Sequence, residues 1–192
     1  MLKFKVLFVG DSCIGAKTSL IQRIVYNNFL YDMKTSSIEE KKVSTPYGEI
    51  NLKLYDTAGQ ERFRPLTISQ YKNSDCIIIG YSITRRKSFE DVLFFYESII
   101  KEKGDSVIIY LVANQIDNKE NEEVTEEEGR QIAEKLKIKF FQVSAKTGEG
   151  VDDLVNDIAN TLALTKQKGE NKNNNLKIEK QNNKKNKHEC LK

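Results

Sequence analysis

Four short segments carry residues whose types and spacing suit phosphate and base chemistry. The first is Gly10-Asp11-Ser12-Cys13-Ile14-Gly15-Ala16-Lys17-Thr18. Between a strand and a helix, such a loop aims backbone N–H groups and a helix N-terminus at a phosphate chain. Its Lys adds a point charge, and its Thr hydroxyl can hold Mg²⁺. The usual spacing is G-x-x-x-x-G-K-[ST]; here Ala16 is added between Gly15 and Lys17. Counted back from Lys17, Ala16 takes the second Gly's place. There its Cβ crowds a phosphate, unless the loop bulges by one residue.

The second segment is Asp56-Thr57-Ala58-Gly59-Gln60-Glu61-Arg62-Phe63-Arg64. Asp56 ends an apolar strand, the place for a carboxylate that holds Mg²⁺ through water. Gly59 lets the backbone approach a terminal phosphate, and Gln60 can orient an attacking water. The third is Asn114-Gln115-Ile116-Asp117. A carboxylate can accept two N–H bonds from the edge of guanine, a pattern adenine does not supply. Asn can bond the base N7 and tie loops together. The fourth is Val143-Ser144-Ala145-Lys146, where a backbone N–H can meet guanine O6. Either of the last two alone reads as a polar strand–loop junction; together they point to base recognition.

These segments need strands that end where they begin. Lys3–Val9 is apolar and β-branched and runs into Gly10, a buried strand entering a turn. Thr18–Asn27 repeats apolar residues at Leu20, Ile21, Ile24 and Val25, a helical spacing. Lys42–Thr45 and Ile50–Tyr55 read as a hairpin about Pro46-Tyr47-Gly48. Cys76–Tyr81 and Val107–Ala113 are continuous apolar runs suited to central parallel strands. Between them Ser88, at N-cap spacing before Asp91, predicts a helix to about Lys101. Thr125-x-x-Glu128 is a capping box opening Glu126–Leu136, Ile138–Val143 is a sixth strand, and Val151–Leu164 is a last amphipathic helix. The expected fold is α/β, a doubly wound, mostly parallel six-stranded sheet flanked by helices. Its ligand belongs at the C-terminal strand edges.

Composition narrows the classes further. The chain has 192 residues, 39% of them hydrophobic, enough for one cored domain with a tail. Its longest apolar stretch in the second half, Val107–Ala113, is far short of a membrane span. Met1–Gly10 is expected to be a strand and not a signal peptide. Cys13, Cys76 and Cys190 are odd in number and scattered, fitting neither a disulfide framework nor a zinc site and pointing to a reducing, intracellular setting. The net +3 conceals a split: residues 165–192 carry +6, leaving −3 on residues 1–164. The tail is Lys- and Asn-rich and nearly without apolar residues, so it is expected to be disordered. It is either a solubilising extension or a segment drawn to an anionic membrane surface, at about 1 kcal/mol per basic residue. The acidic folded part argues against a nucleic-acid partner.

The four segments resemble the P-loop, switch II and base-reading motifs of the Ras superfamily of small GTPases. The stretch Asp56 to Arg64 is nearest the Rab branch, and Ser88-Phe89 and Val124-Thr125-x-Glu127-Glu128-Gly129 are further Rab-like features. The likeness spans about Lys3 to Leu164. It implies the P-loop GTPase fold over residues 1–164. By position, Ile14, Gly15, Ala16, Lys17, Thr18, Ser19 and Gly59 would bind the nucleotide phosphates. Gln60 would be the catalytic, water-orienting residue. Asn114, Gln115, Asp117, Ser144, Ala145 and Lys146 would form the guanine site, and Thr18, Ser37 and Asp56 the Mg²⁺ site.

The departures are specific. Gln115 replaces a Lys that in the family lies along the base, which should weaken nucleotide affinity. Gln142 stands where many members have Glu. The first switch offers Thr35-Ser36-Ser37-Ile38-Glu39. Ser37-Ile38-Glu39 best imitates the family pattern, and Thr35 fits the loop length almost as well. Gln70 precedes Tyr71 where Rabs often carry two Tyr, and Tyr55 stands for a Trp. Cys190 is third from the end and not in a C-a-a-X box, yet a basic tail with a lone Cys suits a one-lipid-plus-polybasic anchor. It is a candidate lipidation site, the alternative being an ordinary exposed thiol.

The resemblance implies a monomeric switch that hydrolyses GTP to GDP and phosphate with Mg²⁺. It would serve vesicle trafficking from the cytoplasm, reversibly bound to the cytosolic face of an internal membrane. Its partners would be an exchange factor, a GTPase-activating protein and effectors, met through switch segments at about Leu30–Lys41 and Gly59–Tyr71. No Arg in the sequence is clearly placed to act in cis, so slow unaided turnover is expected. Two other readings stay open: an adaptor of the same fold without a working cycle, and a P-loop ATPase or kinase.

Overall fold

The computed structural model describes residues 1–10, 16–29, 36–57, 70–104 and 107–169. Six strands form one sheet in the order β2-β3-β1-β4-β5-β6. They are β1 (Leu2–Gly10), β2 (Ile38–Thr45), β3 (Gly48–Asp56), β4 (Cys76–Ser82), β5 (Ile108–Asn114) and β6 (Lys139–Gln142). Only β2 is antiparallel, to β3; the other pairings are parallel. The expected doubly wound sheet is therefore the observed one.

The helices are α1 (Ala16–Tyr26), α2 (Arg86–Glu90), α3 (Val92–Lys103), α4 (Glu126–Leu136) and α5 (151–169). They cover both faces, which is why the central strands are apolar without interruption. Successive side chains of a strand point to opposite faces. Phe4, Val6 and Phe8 of β1 accordingly pack with Leu20, Ile21 and Ile24 of α1 and Leu154, Ile158 and Leu162 of α5. Leu7 and Val9 join the other cluster, with Val92, Phe95 and Ile99 of α3 and Ala133 of α4. The same alternation splits β4, placing Ile78 on the first face and Ile77 and Ile79 on the second. The edge strand β2, with Glu39, Glu40, Lys41 and Lys42, buries only Val43, a charged edge that resists pairing with another chain.

Two expectations change. Ser88 caps no helix: α2 begins at Arg86, one turn from α3, and Ser88 lies inside it, buried. Its Oγ accepts the Ser82 N–H at 3.0 Å and donates to Arg85 O at 2.7 Å. The end of β4 needs a buried hydrogen-bond partner there, and this demand outweighs the capping role. At the C-terminus, α5 runs through 164 to residue 169. The tail from 170, with Cys190, lies outside the described residues.

The capping box of α4 is present in both directions, Thr125 Oγ1 accepting from the Glu128 N–H and Glu128 accepting from the Thr125 N–H. Arg86 adds an ion pair to Glu128 at 2.5 Å. The Arg86 guanidinium, helped by the Thr125 N–H, pulls the Glu128 carboxyl down to about 2 from its ordinary 4.5. A depressed carboxyl stabilises the fold above its unfolded value and loses that contribution as pH falls from 4.5 towards 2. Glu128→Gln keeps the cap but not the charge, and should cost about 0.5 kcal/mol at neutral pH, the scale of an ion pair partly open to water. Thermal melts of the two proteins should converge as the pH drops through that window. Parallel melting curves down to pH 2 would show that the pair contributes nothing.

Candidate functional site

The parallel pairing sets the ends of β1, β3, β4, β5 and β6 along one edge. Phe8 pairs with Asp56, Gly10 with Gly80, Ser82 with Asn114, and Ala113 with Gln142. β1 leaves the sheet at Gly10, at φ +135, where a Cβ would stand 2.1 Å from Gly80 O. Only glycine passes there.

From that point the chain reaches α1, whose first residue is Ala16, so the added residue enters at the helix start. Lys17, 6% exposed, donates from Nζ to Gly10 O. This bond ties the two ends of the intervening loop together despite the longer spacing. Thr18 donates from Oγ1 to Asp56 Oδ2 at 2.5 Å, joining α1 to the end of β3. Ser19 follows on α1, half-buried. The Asp56 N–H donates to Ser37 O at 3.1 Å, so the residue preceding β2 is held beside Asp56. Thr57, which the sequence reading passed over, buries its hydroxyl and donates to Phe8 O at 2.7 Å. It fixes the path of the chain just past Asp56. The Thr18 hydroxyl in contact with the Asp56 carboxylate is a small, all-oxygen donor set. It fits Mg²⁺, a hard cation that takes one or two protein oxygens and completes its shell with water and phosphate oxygens.

The residues expected to read a base meet at the ends of β5 and β6. Asn114 is buried, and its Oδ1 accepts the Gln115 N–H at 2.7 Å and the Ala145 N–H at 3.1 Å. Its side-chain oxygen thus joins the loop after β5 to the loop after β6. Asp117 accepts the Ser144 hydroxyl at 2.6 Å on Oδ1, and Lys146 Nζ stands 3.9 Å from Oδ2. The side chain is thus oriented by its neighbours and 17% exposed, in a residue that as a whole is exposed. Gln115 sits at φ +68, and its Oε1 accepts from Ser82 Oγ and, at 3.1 Å, from Thr84 Oγ1. Its carbonyl end is turned to the exit of β4. Nothing in the local sequence signalled Ser82 and Thr84 as its partners, because the contact depends on β4 and β5 lying side by side.

A small cavity of about 20 Å³ lies beneath these strand ends, lined by the polar Lys17, Ser82, Ser88 and Asn114 and by the apolar Phe8, Leu20, Ile78 and Val112. Lys17 and Asn114 therefore border one space. Ile14, Gly15, Gly59, Gln60, Thr35 and the side chain of Ala16 lie outside the described residues.

Comparison with known proteins agrees with this geometry. A family model described as the Ras family matches residues 5–164. "Ras-related protein SEC4" of Candida albicans is 34% identical over 161 residues, 82% of this chain and 76% of that protein. The SEC4 proteins of strains WO-1 and SC5314 align with the same identity and coverage.

Proposed function

The chain belongs to the Ras family and is a small GTPase by that membership, and from this premise we propose that it is a Rab-like switch. It binds GTP with Mg²⁺, hydrolyses it to GDP and phosphate, and acts in vesicle trafficking. The observation that carries the reading is the convergence on one sheet edge of the Lys17–Gly10 bond, the Thr18–Asp56 contact and the Asn114–Ala145 and Asp117–Ser144 pairs.

Each residue has a physical task. Lys17 places its ammonium against the β- and γ-phosphates. Thr18 and Asp56, with Ser37 from the first switch, would hold Mg²⁺, which when bound neutralises phosphate charge. Ile14, Gly15, Ala16, Ser19 and Gly59 line the phosphate chain. Asp117 accepts the two N–H groups of guanine, Asn114 donates to N7, and the Ser144-Ala145-Lys146 loop closes on O6 beside Gln115. Gln60 orients a water that attacks the γ-phosphorus in line; the β–γ bridging oxygen leaves with GDP, and no covalent enzyme intermediate forms. Loss of the γ-phosphate releases the two switch segments, which an exchange factor, an activating protein and effectors distinguish. The basic tail, with Cys190 as candidate lipid site, would bring this cytoplasmic monomer to an internal membrane.

Purified protein should release GDP or GTP on denaturation, and should bind GTP and GDP far more tightly than ATP. Phosphate release should be slow, and Gln60→Leu should slow it further by about tenfold or more through loss of water positioning. Fast turnover indifferent to Gln60→Leu would reject the mechanism. The turn of Gln115 towards Ser82 and Thr84 favours one second reading, a non-cycling adaptor of the same fold. That protein would hold nucleotide weakly and release no phosphate.

A further inference from the structure

We propose that Arg23 is a positioning residue for base recognition, clamping the Ser144-Ala145-Lys146 loop to helix α1 and orienting the Asp117 carboxylate through it. The inference rests on the guanine site described above and extends it to a residue outside the four motifs.

Arg23 lies in the last turn of α1. There a basic residue ordinarily faces solvent and the helix's own final carbonyls. Here its guanidinium does more. Nε donates to Ala145 O at 2.7 Å and Nη2 to Lys146 O at 2.5 Å, while Nη1 donates to Asn27 O at 2.9 Å. These acceptors are backbone carbonyls, and among the described residues no carboxylate pairs with it. Two of the three carbonyls belong to a loop more than 120 positions away in sequence. Gly148 of the same loop also lies near: a Cβ on it, at φ +91, would stand 3.7 Å from Arg23 Cδ. The loop therefore passes close to the outer end of this side chain.

The bonds continue inward. The peptide whose carbonyl is Lys146 O has the Thr147 N–H at its other end. That N–H donates to Ser144 Oγ at 3.0 Å, and Ser144 Oγ donates to Asp117 Oδ1 at 2.6 Å. A cation on the carbonyl polarises the peptide and makes its N–H a stronger donor. Arg23 thus stands at one end of a continuous chain that ends on the carboxylate reading the base. A second path runs through Ala145, whose carbonyl is held by Arg23 and whose N–H is held by Asn114. Because Lys17, Thr18 and Arg23 share one helix, the base loop is fixed relative to the phosphate-holding groups. Removing the fork loosens that relation without touching the reacting atoms.

The test compares wild type with Arg23→Met, which keeps the stem, and Arg23→Lys, which keeps the charge but not the fork. Dissociation of fluorescent GDP and IDP reads the effect, because the inosine base lacks the exocyclic amine and so one of the two N–H groups Asp117 accepts. Arg23→Met should release GDP about tenfold faster, the scale of one charge-assisted hydrogen bond. It should release IDP less fast in proportion, so that the preference for GDP narrows. Arg23→Lys should fall between, and single-turnover hydrolysis at saturating GTP should stay within about twofold, since uniform binding alone is lost. An unchanged GDP release rate, or equal losses for GDP and IDP, overturns the proposal. If Arg23→Met does not fold, Arg23→Lys decides by the same GDP-to-IDP ratio. A wild-type protein that binds no guanine nucleotide would instead reject the function itself, and this inference with it.

Discussion

Replacing Asp117 with Asn should turn the base preference from guanine to xanthine. On the proposed reading the carboxylate serves the former: Ser144 holds Oδ1 at 2.6 Å and little of the side chain meets water. Guanine offers it two N–H donors, from N1 and the exocyclic amine, and a carboxylate accepts both. Asn keeps one oxygen, which can accept from Ser144 and from N1 together. It also brings an NH₂ to face the exocyclic amine, donor against donor. The loss of one charge-assisted bond and the unpaired donors together cost about 3 kcal/mol, or about 10²-fold in GDP affinity. Xanthine carries a carbonyl at that ring position and accepts from the new NH₂, so XDP should bind the variant more tightly than GDP does. Equilibrium titrations of both proteins with fluorescent GDP and XDP measure this directly. A variant that keeps GDP affinity within about threefold would mean that Asp117 does not read the base.

What could be read from the chain beforehand follows the range of the interaction involved. The capping box at Thr125 and Glu128 is a contact over three positions, and α4 begins and ends where the pattern places it. The uninterrupted apolar runs of β4 and β5 report burial on both faces, which the helices on each side account for. The four motifs could be assigned to strand ends because each follows its own strand directly. Ser88 was misplaced because its Oγ also accepts the N–H of Ser82, the final residue of β4, and a capping pattern carries no record of that neighbour. The same holds for Thr57 on Phe8, Gln115 on Ser82 and Thr84, and Arg23 on the loop after β6. Each is a polar side chain that satisfies a backbone or hydroxyl group brought close only by the sheet order β3-β1-β4-β5-β6. Periodicity reports the faces of elements; it does not report which elements become neighbours. The supports of the site were for that reason less visible in the sequence than the groups that would touch a ligand.

Lys17→Met should separate the site from the fold more sharply than any other single change. The ammonium of Lys17 is buried at 6% exposure, held by a carbonyl, Gly10 O, at the rim of the cavity shared with Asn114. Holding a cation out of water at such a place is costly even where it is hydrogen-bonded. A bound phosphate chain would offset that cost. In the absence of nucleotide, Met fills a similar volume with no charge to desolvate. The melting temperature of the ligand-free variant should therefore equal or exceed that of the ligand-free wild type. With GDP the order should reverse. Wild type gains the linkage energy of a bound ligand, about 4 kcal/mol at a concentration a thousand times Kd. The variant loses two or three charge-assisted contacts to phosphate oxygens, together about 4 kcal/mol, and so about 10³-fold in affinity. At the same GDP concentration its melting temperature should hardly move. Such a residue lowers the stability of the empty fold in exchange for ligand binding, the usual relation between a functional site and its scaffold. Melting curves of both proteins, with and without GDP, distinguish the cases. A variant that melts lower than wild type when empty, yet is raised by GDP to the same extent, would assign Lys17 to the scaffold and take the phosphate chain away from this end of the sheet.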